Sequence, residues 1–394
     1  MKVFSRIQAW LAPGGISLAW RQLSYDKKRF ATAIAGVSFG VIIMLFQQGI
    51  YQAFQILVIR PFVAMQGELA LISPDYQYLL SPGHFPERRL YQTIADRDVE
   101  AVYPVSISYQ KWRNPETGGK IDTALFGVYA GRNPFIIPEV ASREDVLTSP
   151  ESILFDDGSS PDFGDVAGLF AKQGEIETEI NDQRIRVSGI FSMGQTLAAY
   201  GHVIAGMETY QRLSGAPSGT INFGMIRLKP GADPEAVAER LRKIVPEDVS
   251  VLTRGQLIRR EQVYWQNNTP VGFITISGMI LAMFVGAVIV YQILYTDIND
   301  HLKEYATLTA IGLGPGYFVK FILSESLILL VIGFIPGLLV TALLFLLAES
   351  SAELPTRITL FDTMLVFCMA AIMCLIAGFL ATRRLRSVDP ADIF

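Results

Sequence analysis

The sequence predicts a membrane protein with four transmembrane α-helices per chain, arranged as one plus three, and a large α+β extracytoplasmic domain inserted between helices 1 and 2. Of its 394 residues, 51% are hydrophobic and only 18% are charged, against about 25% charged in ordinary globular domains. Charge-free apolar runs long enough to cross a bilayer occupy 31–59, 270–296, 326–348 and 363–382. Residues of mixed composition separate the first run from the second, so the insert should fold outside the bilayer.

Composition excludes several classes of function. Lys and Arg number 33 against 37 Asp and Glu, a net charge of -4, so the chain has no basic footprint for nucleic acid. Two cysteines and three histidines are too few for a disulfide framework or a multi-ligand zinc site. Both cysteines, Cys368 and Cys374, fall in the fourth apolar run.

The distribution of basic residues predicts the orientation. The first 30 residues are polar or amphipathic, unlike a cleavable signal peptide, so we expect the first run to be retained. Lysines and arginines precede the first run, lie between the second and third, and follow the fourth. Because basic residues stay on the cytoplasmic side, we expect a multi-pass membrane protein with both termini cytoplasmic and the insert on the other side.

These patterns divide the chain into nine predicted segments. In order they are a cytoplasmic amphipathic segment (1–30), the first transmembrane helix and stalk (31–59), a periplasmic α+β domain (60–267), the second helix (268–296), a cytoplasmic loop (297–320), the third helix (321–348), a short periplasmic loop (349–362), the fourth helix (363–382) and a cytoplasmic tail (383–394).

Inside the insert, alternating apolar residues predict strands. Residues 176–180 and 185–187 alternate on either side of Asn181-Asp182, which predicts a hairpin. Further strands are expected near 68–73, 101–109, 121–129, 222–228 and 249–252, and a helix begins after the predicted cap Asp233-Pro234. Gln48, Gln52 and Gln55 share one helical face, which we interpret as part of a stalk leaving the membrane.

Motifs for catalysis are not found in the sequence. Gly118-Gly119-Lys120 lacks the spacing and the Ser/Thr of a phosphate-binding loop. His84, His202 and His301 are far apart, and the stretch from Asp156 to Asp165 lacks the spacing of a calcium loop, so a solvated turn is the preferred interpretation. We therefore expect a non-enzymatic chain that binds no cofactor or metal, with the roles of His84, His202 and 156–165 open.

Two features of the apolar runs are candidates for function. Gly36 and Gly40 have the four-residue spacing that lets helices approach closely, in packing or in a dimer. Glu325 is an ionisable residue at the start of the third run, which is either a functional intramembrane acid or a group that reaches the interface or caps the helix.

The loop at 297–320 carries apolar and small residues at helical spacing from Leu302 to a glycine stop at Gly312. Its segment Lys303-Glu304-Tyr305-Ala306-Thr307-Leu308-Thr309-Ala310-Ile311-Gly312 resembles the coupling-helix element RE(I/Y)(G/A)xLxAIG of the FtsX/MacB-like (type VII) ABC transporter permeases. The segment from Leu18 to Arg29, Glu325, and the tail from Ala381 to Asp392 agree with that family in order. Tyr305-Ala306 replaces the isoleucine-glycine of many relatives.

Within that family the chain most resembles the DevC-type permeases of cyanobacterial tripartite exporters. The resembling segments are 69–74, 154–157, 162–164, 228–234 and 264–273. The resemblance implies a homodimer whose first and second helices meet across the two-fold, in the bacterial plasma (inner) membrane. It also implies a separate ABC ATPase that holds ATP and Mg, a membrane-fusion adaptor and a TolC-like outer-membrane channel.

The resemblance also implies roles for individual residues. Glu304 would be the most exposed charge at the ATPase contact; Tyr305, Leu308 and Ile311 would be its apolar anchors, between Lys303 and Gly312. The expected function is mechanotransmission: ATP-driven motion reaches the periplasmic domain and drives efflux, with glycolipid or another amphiphile as the suggested cargo. The alternatives are an FtsX-like signalling regulator of cell-wall hydrolases and a lipoprotein-extraction permease on the same topology.

Overall fold

The computed structural model describes residue 25 and residues 27–310, 314–352 and 359–386. The predictions for Ile311, Gly312, most of the segment 1–30 and the end of the tail lie outside these residues. The chain divides into two compact units. We call the described residues up to Ala53 together with those from Val271 onward the membrane unit, and Phe54–Pro270 the extracytoplasmic domain.

The elements follow one another from the first helix, α1 (Lys27–Val63), into the extracytoplasmic domain. The domain contains β1 (Leu69–Ile72), β2 (Phe85–Pro86), α2 (Arg88–Gln92), β3 (Val99–Arg113), β4 (Lys120–Val128), α3 (Pro138–Ala141), α4 (Glu144–Thr148), β5 (Ser152–Asp156), α5 (Val166–Gln173), β6 (Ile176–Ile180), β7 (Gln183–Phe191), β8 (His202–Gly206), α6 (Met207–Ser214), β9 (Thr220–Ile221), β10 (Phe223–Leu228), α7 (Pro234–Ile244), β11 (Ser250–Thr253) and α8 (Arg254–Asn268), with short 3-10 turns at Thr93–Ala95 and Pro161–Phe163.

The membrane unit continues with four helices: α9 (Pro270–Asp300), α10 (Leu302–Ala310), α11 (Pro315–Ala352) and α12 (Leu360–Arg386). Four of the described helices, α1, α9, α11 and α12, are long and apolar enough to cross a membrane. The predicted fold class, four spanning helices with a large α+β insert, is confirmed. The apolar runs predicted the number of spanning helices correctly, because a helix needs about 20 apolar residues to cross a bilayer.

A nine-stranded, mostly antiparallel sheet organises the extracytoplasmic domain, in the order β11-β1-β10-β3-β4-β8-β5-β7-β6. Two neighbouring pairs, β4 with β8 and β5 with β7, are parallel. The long strand β3 also pairs with β6 through Trp112 and Ile180, so the strand bends across the sheet. Apolar cores lie on both faces, since Leu69 and Leu71 of β1 join one cluster and Ala70 and Ile72 the other.

Local sequence signals account for the ends of several elements. The predicted hairpin is β6 and β7, and its turn residues Asn181 and Asp182 have φ angles of 53° and 60°; this left-handed backbone matches the twist of a tight hairpin. The Asp233 side chain accepts from the backbone N–H of Glu235 at the start of α7, as predicted. Thr253 and Gln256 form a capping box that starts α8.

Candidate functional site

The short helix α10 is held to the membrane unit by one face. Leu302, Tyr305 and Leu308 are spaced three apart, which places them in one stripe. Tyr305 is only 5% exposed, and its ring packs edge-on against Phe318, at 5.5 Å between centroids, and Phe321, at 6.4 Å. Leu302 and Leu308 are half-buried and pack against the apolar cluster that contains Tyr305 and these two phenylalanines.

The opposite face of α10 is polar and exposed. It presents Lys303, Glu304 and Thr307, with Thr307 Oγ1 donating to the carbonyl oxygen of Lys303 at 2.9 Å. This corrects one expectation: Tyr305, expected as an apolar anchor for an ATPase, lies in the chain's own helix bundle. Its ring is buried against Phe318 and Phe321 of α11 and is not available to a partner.

Ion pairs fix the neighbouring ends of α1 and α9. Arg29 contacts Asp297 at 3.9 Å and forms a hydrogen-bonded pair with Asp300. His301, the residue that joins α9 to α10, lies 3.0 Å from the carbonyl oxygen of Asp297 through Nδ1. The sequence had indicated Arg29 only as a topological signal, because nothing local pairs it with residues about 270 positions away.

Glu325 lies inside the membrane unit, one helical turn beyond Phe321 on α11. It is 1% exposed, and neither carboxyl oxygen has a hydrogen-bond partner among the described residues. The alternative that it reaches the interface is therefore wrong.

Gly36 and Gly40 pack α1 against α9 of the same chain. A Cβ atom added to Gly36 would lie 2.6 Å from Cγ2 of Ile289, and one added to Gly40 would lie 3.3 Å from Cα of Gly286. The two glycines therefore permit a close crossing within one protomer. This agrees with the expected role in helix packing, and a role in a homodimer stays a prediction.

A polar cluster that sequence reasoning missed joins α1 to the start of α12. The side-chain amides of Gln48 and Gln52 each donate to Oδ1 of Asp362 at 2.8 Å. The other carboxylate oxygen accepts from the backbone N–H of Thr359 at 3.2 Å. The signal was present as two glutamines four residues apart, which we had interpreted as the face of a stalk.

Hydrogen bonds inside the extracytoplasmic domain hold the end of α1 and the start of α8. On α1, Arg60 donates through Nη1 to the carbonyl oxygen of Gln195 at 2.8 Å, and Phe62 is fully buried. Arg254, at the start of α8, donates to the carbonyl oxygen of Phe62 at 2.7 Å. The end of α1 and the start of α8 are thereby fixed to each other and to the domain.

Glu261 is a second anchor, in the middle of α8. Its carboxylate accepts from the hydroxyl of Tyr76 at 2.9 Å, the backbone N–H of Leu79 at 3.0 Å and Nε1 of Trp265 at 3.2 Å. Burial raises the pKa of Glu261, against the opposing effect of these donors. The residue ties α8 to the loop that follows β1.

A buried Asp–His pair lies at the end of β5. Asp156 is fully buried and accepts from the backbone N–H groups of Met193 and Gly194 at 2.8 and 3.0 Å, while Oδ2 lies 3.1 Å from Nδ1 of His202. Burial favours the neutral acid, but the hydrogen bond and attraction of His202 and the backbone donors outweigh it and lower the pKa of Asp156.

Asp156 therefore corrects the interpretation of 156–165 as a solvated turn. It holds together the loop 193–194 and β8, and His84 is exposed and takes no part. Downstream, Asp165 accepts from Gly168 as the cap of α5. The described residues include no cluster of three or more His, Cys, Asp or Glu that could hold a metal ion.

Comparison with known proteins identifies both units. Residues 30–244 match the MacB-like periplasmic core domain, and residues 276–390 match the FtsX-like permease C-terminal family. An uncharacterized ABC transporter permease of Methanocaldococcus jannaschii is 23% identical over 351 residues, which covers 86% of this chain and 85% of the relative.

Two solved structures resemble about half of the chain. The periplasmic region of MacB from Actinobacillus actinomycetemcomitans is 11% identical, with a TM-score of 0.35, covering 52% of this chain and 97% of that one. The extracellular domain of the noncanonic ABC-type transporter YknZ from Gram-positive bacteria is 13% identical, with a TM-score of 0.34, covering 47% of this chain and 98% of that one.

Proposed function

We propose that this chain, which belongs to the family of the MacB-like periplasmic core domain and ends in an FtsX-like permease region, is the force-transmitting permease of a tripartite ABC exporter. It is a permease component of an FtsX/MacB-like ABC transporter, a multi-pass protein of the inner membrane. The family implies an ATPase on a partner chain. The tripartite assembly, the DevC subtype and the mechanical role are the parts that we propose.

The observation that carries the proposal is the two-sided construction of α10. Tyr305 anchors one face to α11, while Lys303, Glu304 and Thr307 point outward. A nine-residue helix is too short to be stable alone, so its packing keeps the outward face in a fixed orientation. A partner that pushes on this face would move α11 with it.

The anchoring of α1 and α8 in the extracytoplasmic domain supports the other half of the mechanism. Arg60, Arg254 and Glu261 attach these two helices to loops and strands of the domain. These hydrogen bonds are the contacts through which the domain would respond to a movement of either helix. We propose that ATP-driven motion reaches the domain by this path, and that a membrane-fusion adaptor and a TolC-like channel respond to it.

We further propose that the permease works as a homodimer with two ATPase copies, with both termini on the ATPase side. Glycolipid or another amphiphile is the proposed cargo. The size of the extracytoplasmic domain favours export over signalling, because a regulator of cell-wall hydrolases on this scaffold is expected to have a small insert.

The test is co-purification of the tagged full-length chain from its native membranes in mild detergent, followed by mass spectrometry. Recovery of an ABC ATPase together with a membrane-fusion adaptor is the expected result. An ATPase accompanied by a cell-wall hydrolase, or by a lipoprotein chaperone without an adaptor, would overturn the exporter.

A paired variant tests the ATPase contact in the same preparation. Exchanging the two charges of the outward face, Lys303→Glu with Glu304→Lys, should remove the ATPase while the adaptor is still recovered. The same exchange on α7 of the extracytoplasmic domain, Glu239→Lys with Lys243→Glu, also reverses two exposed charges and serves as the matched control. Equal loss of the ATPase in the control would assign the effect to general electrostatics.

A further inference from the structure

A groove in the membrane unit, between α9 and α12, has the size of a small-molecule site. Its volume is about 610 Å³, within the range of about 300–1,000 Å³ found for ligand pockets. The walls are mostly apolar: Phe284 and Val288 line it from α9, and Ile376 and Leu380 from α12. Phe284 is 64% exposed, so the groove opens sideways, toward the space that lipid would occupy.

The length of the groove matches one leaflet of a bilayer. From Phe284 to Tyr295 the helix rises by eleven residues, which is about 16 Å. Half of the hydrocarbon core measures about 15 Å. An acyl chain lying along the groove would therefore begin at one interface and end near the bilayer centre.

One end of the groove is polar. Tyr291 and Tyr295 lie there with ring centroids 5.7 Å apart, beside Arg383 near the end of α12. Tyrosine is typical of the headgroup level. Arg383 is exposed and makes no salt bridge within the part of the chain that the structure describes, and Arg384 and Arg386 follow it in the sequence.

An apolar groove with an arginine and two tyrosines at one end matches the acyl chain and the phosphate headgroup of an anionic lipid. A guanidinium group pairs with phosphate oxygens through two parallel hydrogen bonds, and basic pockets between transmembrane helices bind anionic lipid headgroups. A helix from a second copy fits less well, because a cylinder 10 Å wide and 16 Å long occupies roughly 1,200 Å³, about twice the volume of the groove.

We propose that the groove between α9 and α12 binds one anionic phospholipid from the leaflet at its Arg383 end. The phosphate is held by Arg383 and the tyrosine hydroxyls, and one acyl chain lies against Phe284, Val288, Ile376 and Leu380. The proposal goes beyond the export function, since this lipid is a resident ligand whose binding does not depend on the cargo or on the adaptor.

The experiment is native mass spectrometry of the full-length chain in detergent with added dioleoylphosphatidylglycerol or, as the zwitterionic reference, dioleoylphosphatidylcholine. The wild-type chain should prefer phosphatidylglycerol by at least tenfold. Arg383→Gln should abolish the preference, and Lys320→Gln, which removes an exposed charge on α11, should retain it.

A second variant separates the groove from the charge. Ala287→Trp fills the groove from α9 and leaves Arg383 in place, and it should reduce retention of both lipids without changing the oligomeric state. The proposal is overturned if Arg383→Gln keeps the wild-type preference, if Lys320→Gln loses it equally, or if Ala287→Trp dissociates a dimer while lipid retention is unchanged.

Discussion

Truncation of Tyr305 to alanine should uncouple the permease from its ATPase. The side chain is 5% exposed and meets two aromatic rings of α11. Loss of a buried aromatic side chain costs about 3–5 kcal/mol, of which the two edge-on pairs account for about 0.5–1.5 kcal/mol each. A cost of 3 kcal/mol lowers the equilibrium constant for docking of α10 by roughly 150-fold.

The assay is the ATPase activity of the partner, measured with the permease reconstituted in lipid and at matched permease levels. Tyr305→Ala should reduce stimulation to near the level of the ATPase alone. Tyr305→Phe retains the ring and should keep most of the stimulation. Wild-type stimulation by Tyr305→Ala, or equal loss in Tyr305→Phe, would refute the role of ring packing in holding α10.

Three further predictions concern packing and charge elsewhere. Gly36→Ile should destabilise the chain by about 1–3 kcal/mol, because it forces a larger side chain against Ile289. The expected result is a lower melting temperature with an unchanged oligomeric state. Asp362→Ala should cost about 1–3 kcal/mol by leaving the Gln48 and Gln52 amides unpaired, whereas Asp362→Asn should cost less; thermal unfolding in detergent compares them. Since the folded pKa of Asp156 is lowered, its stabilising contribution is present above the ordinary aspartate pKa of about 3.9 and is lost as pH falls through the folded value. Unfolding of the wild type should therefore become easier below about pH 4, and a variant Asp156→Asn should lack that part of the pH dependence; equal slopes would contradict the assignment.

The elements that sequence predicted well are those set by local rules. Four apolar runs gave four spanning helices because bilayer thickness dictates their length. The hairpin at Asn181-Asp182 followed from alternation on both sides of two residues that tolerate a left-handed backbone. Each of these elements is determined by residues that are close together in the sequence.

The features that sequence did not predict depend on partners far away in the chain. Asp156 looked like part of an acidic turn, because its partners come from β8 (His202) and from the N–H groups of the loop 193–194, about 40 residues along the chain. Tyr305 looked like an anchor for a partner, since a single apolar stripe does not reveal whether it covers the chain itself or another protein. The role of Gln48 likewise could not be predicted, because its partner Asp362 lies two transmembrane helices further along the chain.

The central claim is that the outward face of α10 is the contact with the ATPase. The most direct measurement places a photocrosslinking amino acid at Glu304 or Thr307 in the assembled complex, with Glu177, exposed on the extracytoplasmic domain, as the reference position. The account predicts capture of the ATPase from Glu304 and Thr307 and none from Glu177. An intact, ATP-hydrolysing complex that yields no ATPase crosslink from either α10 position would contradict it.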